Sequence, residues 1–172
     1  MSKVYIVSRT ISDYDEVYKD EDFAFSSNEK AVAKARELFA KDKEKNLEYL
    51  KDDLKYRKEE LARDEKEFKE KDYDKYLKSA EFKERYAKFK AVHDGGFLVD
   101  TSDSKYKDTL TKEDWNAINL YNSINEAYDR IERTESEIKE EENEEFGDNQ
   151  SYYRFFDKGY TVECNIKELE LF

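Results

Sequence analysis

The apolar positions of this chain change period several times, and each change marks an element. Lys3 to Arg9 holds Val4, Tyr5, Ile6 and Val7, a short run of β-branched and aromatic residues that predicts a strand. After a polar turn, Val17, Tyr18, Phe23 and Phe25 predict a second strand, ending at Ser26-Ser27-Asn28. Ser26 or Ser27 can accept hydrogen bonds from the first free N–H groups of a helix, and Glu29 puts negative charge at its positive end. From Ala31 the period is helical through Val32, Ala35, Leu38 and Phe39, and no residue before 71 obliges that helix to stop.

Further on, Leu47, Leu54, Leu61 and Phe68 recur every seven residues, with Leu50 at an intervening position. Arg57 and Asp64 occupy the other seam positions, so this stripe is narrow and marginal by itself. Tyr73, Tyr76, Leu77, Ala80, Tyr86, Phe89 and Val92 form an aromatic-rich helical pattern after a break near Asp72. Asp94-Gly95-Gly96 closes it, Phe97-Leu98-Val99 is a brief apolar run, and residues 100–110 read as a loop. Thr111 with Asp114 three residues later is a capping-box pattern that opens another helix. Its seam is Ala117, Ile124, Ile131 and Ile138, alternating with Leu120, Ala127 and Thr134 and widened by Tyr121 and Tyr128. Two stripes of matching length predict that this helix runs back antiparallel along residues 47–68.

Past Gly147-Asp148-Asn149 the pattern is strand-like again. Tyr152, Tyr153, Phe155 and Phe156, the turn Asp157-Lys158-Gly159, and Tyr160, Val162, Cys164 and Ile166 predict a hairpin. A lone hairpin is marginal in water, so it should pair with the first strand. The expected fold is α+β: a small antiparallel sheet from both termini, residues 1–40 and 150–172, with a coiled-coil-like antiparallel helical hairpin, residues 41–149, inserted. The opening KVYIVSR, the segment FSSNEKAVAKARELF and the closing YTVECNIKELEL resemble small uncharacterised α+β proteins of phages and bacteria. The resemblance spans about a third of the chain. It implies a small α+β scaffold and a phage origin, and no activity.

Composition narrows the chemistry. Charged residues make up 44% of 172 residues and hydrophobics 37%, which predicts a low buried fraction and an extended form, while the 14 Tyr and 11 Phe argue against disorder. The absence of Pro and the presence of only four Gly suit long helices. The N-terminal apolar stretch is too short for a signal peptide, and no run approaches a membrane span. With Cys164 the single cysteine, nothing indicates an oxidising compartment, and a cytoplasmic location, that of the host if phage-encoded, is expected.

His93 is the only histidine, which excludes multi-histidine metal sites and fits a residue near a helix C-terminus. Cys164 falls at a core-facing strand position. Asp100, Ser102, Asp103 and Ser104 do not make a calcium loop, because Lys105 and Thr111 stand where Gly and Glu are needed. Four glycines leave no phosphate loop, so no cofactor, no metal and no enzymatic activity are expected. Acids and bases alternate along the first long helix, as in Glu48 with Lys51, Asp52 with Lys55 and Glu67 with Lys71, which gives solvated ion pairs rather than a nucleic-acid stripe.

The net charge of −12 is uneven, with nine Lys/Arg against twenty-one Asp/Glu over residues 91–172. Its densest part includes Glu132, Glu135, Glu137, Glu140, Glu141, Glu142, Glu144, Glu145 and Asp148. Acids at a helix C-terminus oppose the macrodipole, so helix stability does not account for them. They either pair with lysines of the facing helix and aid solubility, or face a basic protein surface in place of phosphates. The second reading makes Glu137, Glu140, Glu141, Glu144, Glu145, Asp148, Tyr152 and Tyr153 the partner-binding residues. The expected function is a non-enzymatic protein-binding module, a phage-encoded inhibitor of a host nucleic-acid-binding or defence complex. The alternative is an oligomerisation module whose Leu/Ile seams bind a second copy.

Overall fold

The computed structural model describes residues 2–13, 16–92, 109–147, 151–155 and 160–171. His93, Asp94-Gly95-Gly96, Phe97-Leu98-Val99, the calcium-like segment from Asp100, Asp148, Phe156 and the turn Asp157-Lys158-Gly159 lie outside those residues.

Strands β1 (Ser2–Asp13), β2 (Glu16–Phe25), β3 (Tyr152–Phe155) and β4 (Tyr160–Leu171) form an antiparallel sheet in the order β2-β1-β4-β3. The central pair therefore joins segments far apart in sequence, in an unbroken register from Ser2↔Leu171 to Asp13↔Tyr160. β1 and β2 pair regularly until the register shifts between Ile11↔Lys19 and Ser12↔Val17, where Tyr18 is the extra residue of a bulge. Strand alternation turns Val7, Val162, Cys164 and Tyr152 to one face. Helix α1 (Asn28–Glu70) covers that face with Ala31, Ala35, Leu38 and Phe39. Phe39 meets Phe146 and Tyr152 edge-on, at 5.6 and 5.5 Å between ring centroids. Each large apolar side chain buried here contributes about 1.5–3 kcal/mol relative to exposure.

The other helices are α2 (Tyr73–Lys78), α3 (Ala80–Val92) and α4 (Lys112–Asn143). The chain divides into a sheet unit, residues 1–52 with 136–172, and a helical unit, residues 53–135. Both long helices contribute to each. In the sheet unit, Lys51 reaches Glu142 at 2.9 Å and Asn46 reaches Glu141 at 2.9 Å. In the helical unit, Lys58 meets Glu135 at 2.7 Å, Ser123 meets Asp64 at 3.1 Å, and Tyr128 donates to Glu65. Numbers rise along α1 as they fall along α4, which is the antiparallel hairpin the two stripes predict. Leu50 and Ile138 are buried in the sheet unit, as are Leu61, Ala117, Ile131 and Thr134 in the helical unit. Lys51, expected to serve Glu48, instead crosses to the facing helix.

In the helical unit α1 closes at Asp72, whose backbone is left-handed at φ 54°, a conformation that aspartate tolerates better than most side chains. The aromatic pattern that follows is two helices rather than one. Ser79 is extended, its hydroxyl accepts the N–H of Phe82 at 3.2 Å, and α3 starts anew from it. Rings line this unit in sequence from Phe68 through Tyr73, Tyr76, Phe82, Tyr86 and Phe89 to Trp115, each within about 6 Å of the next.

Candidate functional site

One row of residues crosses the whole sheet beneath α1. Glu21 lies opposite Arg9, Arg9 opposite Cys164, and Cys164 opposite Tyr152. Above that row Asp42 descends from α1 and is only 2% exposed. Its carboxylate accepts Arg9 Nη2 at 2.6 Å, Arg9 Nε at 3.1 Å and the Tyr152 hydroxyl at 2.7 Å, while Arg9 Nη1 donates to Glu21 at 3.0 Å. A charge this deep persists only when it is paired and its remaining lone pairs are used, and the bidentate Arg9 fork with Tyr152 does both. Burial by itself would lower the proton affinity of Arg9, but hydrogen bonds and charge from Asp42 carry it above its ordinary value. Burial, then Asp42, raises the Tyr152 hydroxyl well above the tyrosine range. Burial likewise pushes the Cys164 thiol up to about 11, so it stays protonated and inert at neutral pH.

The acidic segment begins beside this node. Arg154, in phase with Tyr152 on β3 and buried over the Phe39 ring, donates to both Glu141 and Glu144. Asn46 donates to the other oxygen of Glu141. Lys43 donates to the carbonyls of Glu142 at 3.0 Å and Glu144 at 2.7 Å, placing a cation on the negative end of α4. That answers how a helix tolerates acids at its C-terminus: positive groups from α1 and β3 meet them there.

The predicted partner-binding residues therefore separate. Glu137, Glu140 and Glu145 are exposed, and among the described residues no cation pairs with them, Glu140 accepting only from Ser136 at 3.3 Å. Glu141 and Glu144 hold Arg154, and Tyr152 is buried in the core, whereas Tyr153, pointing to the opposite face, is 64% exposed. Asp148 lies outside the described residues. Arg9, Asp42 and Arg154 are the residues that sequence reasoning missed. A signal existed, because Arg9 interrupts the apolar phase of Tyr5, Val7 and Ile11, and Asp42 interrupts that of Ala35, Leu38 and Leu50. Opposite charges in two apolar stripes are a pairing signature.

The helical unit has a counterpart node. Asp114, fully buried, accepts Arg85 Nε and Nη2 at 2.8 Å each and the Tyr76 hydroxyl at 2.9 Å. It also accepts the N–H of Thr111 at 2.7 Å, while the Thr111 hydroxyl accepts the N–H of Asp114 at 3.1 Å, completing the predicted capping box. Burial by itself would raise the Asp114 proton affinity, but Arg85, Thr111 and Tyr76 hold it well below the carboxylate range. Among the described residues no group of three or more His, Cys, Asp or Glu side chains is placed to hold a metal ion, and no helix is long and apolar enough to cross a membrane. No protein-family model, curated protein or solved structure matches the chain.

Proposed function

We propose that the chain is a non-enzymatic protein-binding module whose exposed carboxylates at the end of α4 engage a basic surface on another protein. The observation that carries this reading is the split just described. The segment spends Glu141, Glu142 and Glu144 on internal cations, and Glu137, Glu140 and Glu145 are surplus to that framework. The internal pairs fix the helix end, so Glu137 and Glu140 are presented on a rigid helix, with Glu145 just past its last residue, Asn143. The sheet unit carries 23 Asp/Glu against 14 Lys/Arg, a field that attracts a basic partner from a distance. The likeness to small phage proteins and the phosphate-like spacing of helical carboxylates favour a partner that ordinarily binds nucleic acid, inhibited by occupancy of that surface.

The seam residues Leu50, Leu61, Ile131 and Ile138 are buried within the chain, which leaves the self-association alternative without those side chains. The test is affinity capture with the wild-type chain and with the triple variant Glu137→Lys, Glu140→Lys, Glu145→Lys. A partner retained at low salt, released by salt or by competing duplex DNA, and lost with the variant supports the reading. Equal capture by both proteins overturns it.

A further inference from the structure

β2 ends the sheet on one side, and among the described residues no strand pairs with its outer edge. Alternate residues of such a strand direct N–H and C=O groups outward, a template for another strand. From Asp20 to Phe25 its pairing with Thr10 to Tyr5 is regular, so the template is uninterrupted for six residues beyond the Tyr18 bulge. The side chains along it follow a readable pattern. On the helix-covered face lie Glu21, Phe23 and Phe25, where Arg9 occupies Glu21 and the two rings are only half-buried against the core. On the other face lie Asp22 and Ala24, of which Asp22 is exposed and accepts from Ser8 at 2.6 Å.

We propose that this edge accepts an extended basic segment of another protein as a fifth, antiparallel strand. Apolar residues of that segment would stand opposite Phe25 and Phe23, extending the partly covered aromatic rim. A lysine or arginine would stand opposite Asp22, where a cross-strand opposite charge is favourable. A second copy of β2 is a poor occupant. Any self-pairing of residues 20–25 brings two runs of three consecutive acids within about one Debye length, 8–10 Å, of each other. The edge thus repels its own kind while remaining open to the opposite charge.

The test uses an isotope-labelled chain and a fluorescent six-residue peptide with valines opposite Phe25 and Phe23 and lysine opposite Asp22. Saturable binding is expected, with amide shifts centred on Asp20 to Phe25. N-methylation of the outward-pairing peptide amides should weaken it by about tenfold or more, because the strand hydrogen bonds are lost. Glutamate in place of the lysine should abolish it. The variant Asp22→Lys should reverse the preference from lysine to glutamate peptide; should that variant not fold, the peptide series on the wild-type chain still decides. Binding that ignores N-methylation, shifts elsewhere, no saturation to about millimolar peptide, or dimerisation through β2 would each overturn the proposal. Unchanged peptide binding by the Glu137, Glu140, Glu145 variant is expected, so this site can fail or stand apart from the helix-end surface.

Discussion

The sheet unit and the helical unit solve the same problem with the same three residue types. Each buries one aspartate, grips it with a bidentate arginine and adds a tyrosine hydroxyl. In the sheet unit the partners of Asp42 lie 33 and 110 residues away. In the helical unit Asp114 has partners 29 and 38 residues away and a capping threonine only three residues back. Asp114 thus has a local partner as well as distant ones, while both side-chain partners of Asp42 are distant. The arginines differ too: the Arg9 side chain is 9% exposed and that of Arg85 is 32% exposed. Removing the aspartate leaves Arg9, in the interior, with Glu21 as its remaining carboxylate, whereas Arg85 retains access to water.

Each unit carries its own probe, because Trp115 is the only tryptophan and Cys164 the only cysteine. The largest effect is expected for Asp42→Ala, which should destabilise the sheet unit by up to about 3–5 kcal/mol by leaving buried Arg9 with Glu21 alone and the Tyr152 hydroxyl without its acceptor, read from thiol exposure in urea. A loss below about 1 kcal/mol would mean the node contributes specificity without stability. Asp114→Ala should cost about 2 kcal/mol, the cap plus a partly solvated ion pair, seen as a lower urea midpoint of Trp115 fluorescence. If the two variants prove equally costly, the contrast in solvent access is not what separates the nodes.

pH sharpens the contrast from opposite ends. The folded-state pKa of Asp114 is depressed, so its contribution is present above the ordinary aspartate value and is lost as pH falls below it. Trp115 unfolding should therefore become easier in acid, and Asp114→Asn should flatten that dependence. Cys164 is raised to about 11, so its contribution is complete below the ordinary thiol value and is lost as pH climbs toward 11. Cys164→Ala should flatten the alkaline limb of sheet-unit stability. The smallest effect concerns reactivity at pH 8: Cys164 should react with a thiol reagent only as fast as the unit opens, and full labelling within seconds would show the thiol accessible.

Regular spacing made much of this fold legible. The heptads of Leu47 to Phe68 and Ala117 to Ile138 announce the long helices and their pairing, and Thr111 with Asp114 announces a cap, because each signal lies within one or two turns of chain. Ser79 is a capping residue set inside a run of aromatics, so the helical period in the sequence runs straight past it. What stayed illegible is non-local. Arg9 and Asp42 each mark a break in an apolar stripe, but nothing near Asp42 indicates that Tyr152 will join them, and nothing near Glu141 and Glu144 marks them as the holders of Arg154. An acidic run looks uniform until the structure shows which carboxylates are spoken for. Tyr152 and Tyr153 are separable from sequence after all, since neighbours on a strand face opposite ways.

The pairing of β1 with β4 has a consequence in time. Val7 must wait for Ile166, and at a synthesis rate of roughly 5–20 residues per second that wait lasts on the order of 8–30 s on the ribosome. Helices elongate in nanoseconds and hairpins close in microseconds, so α1 has long since formed while the strand it should cover has only β2 for company. A nascent chain in that interval exposes Val7, Leu38 and Phe39 together, and its safe passage depends on keeping them occupied until the last strand emerges.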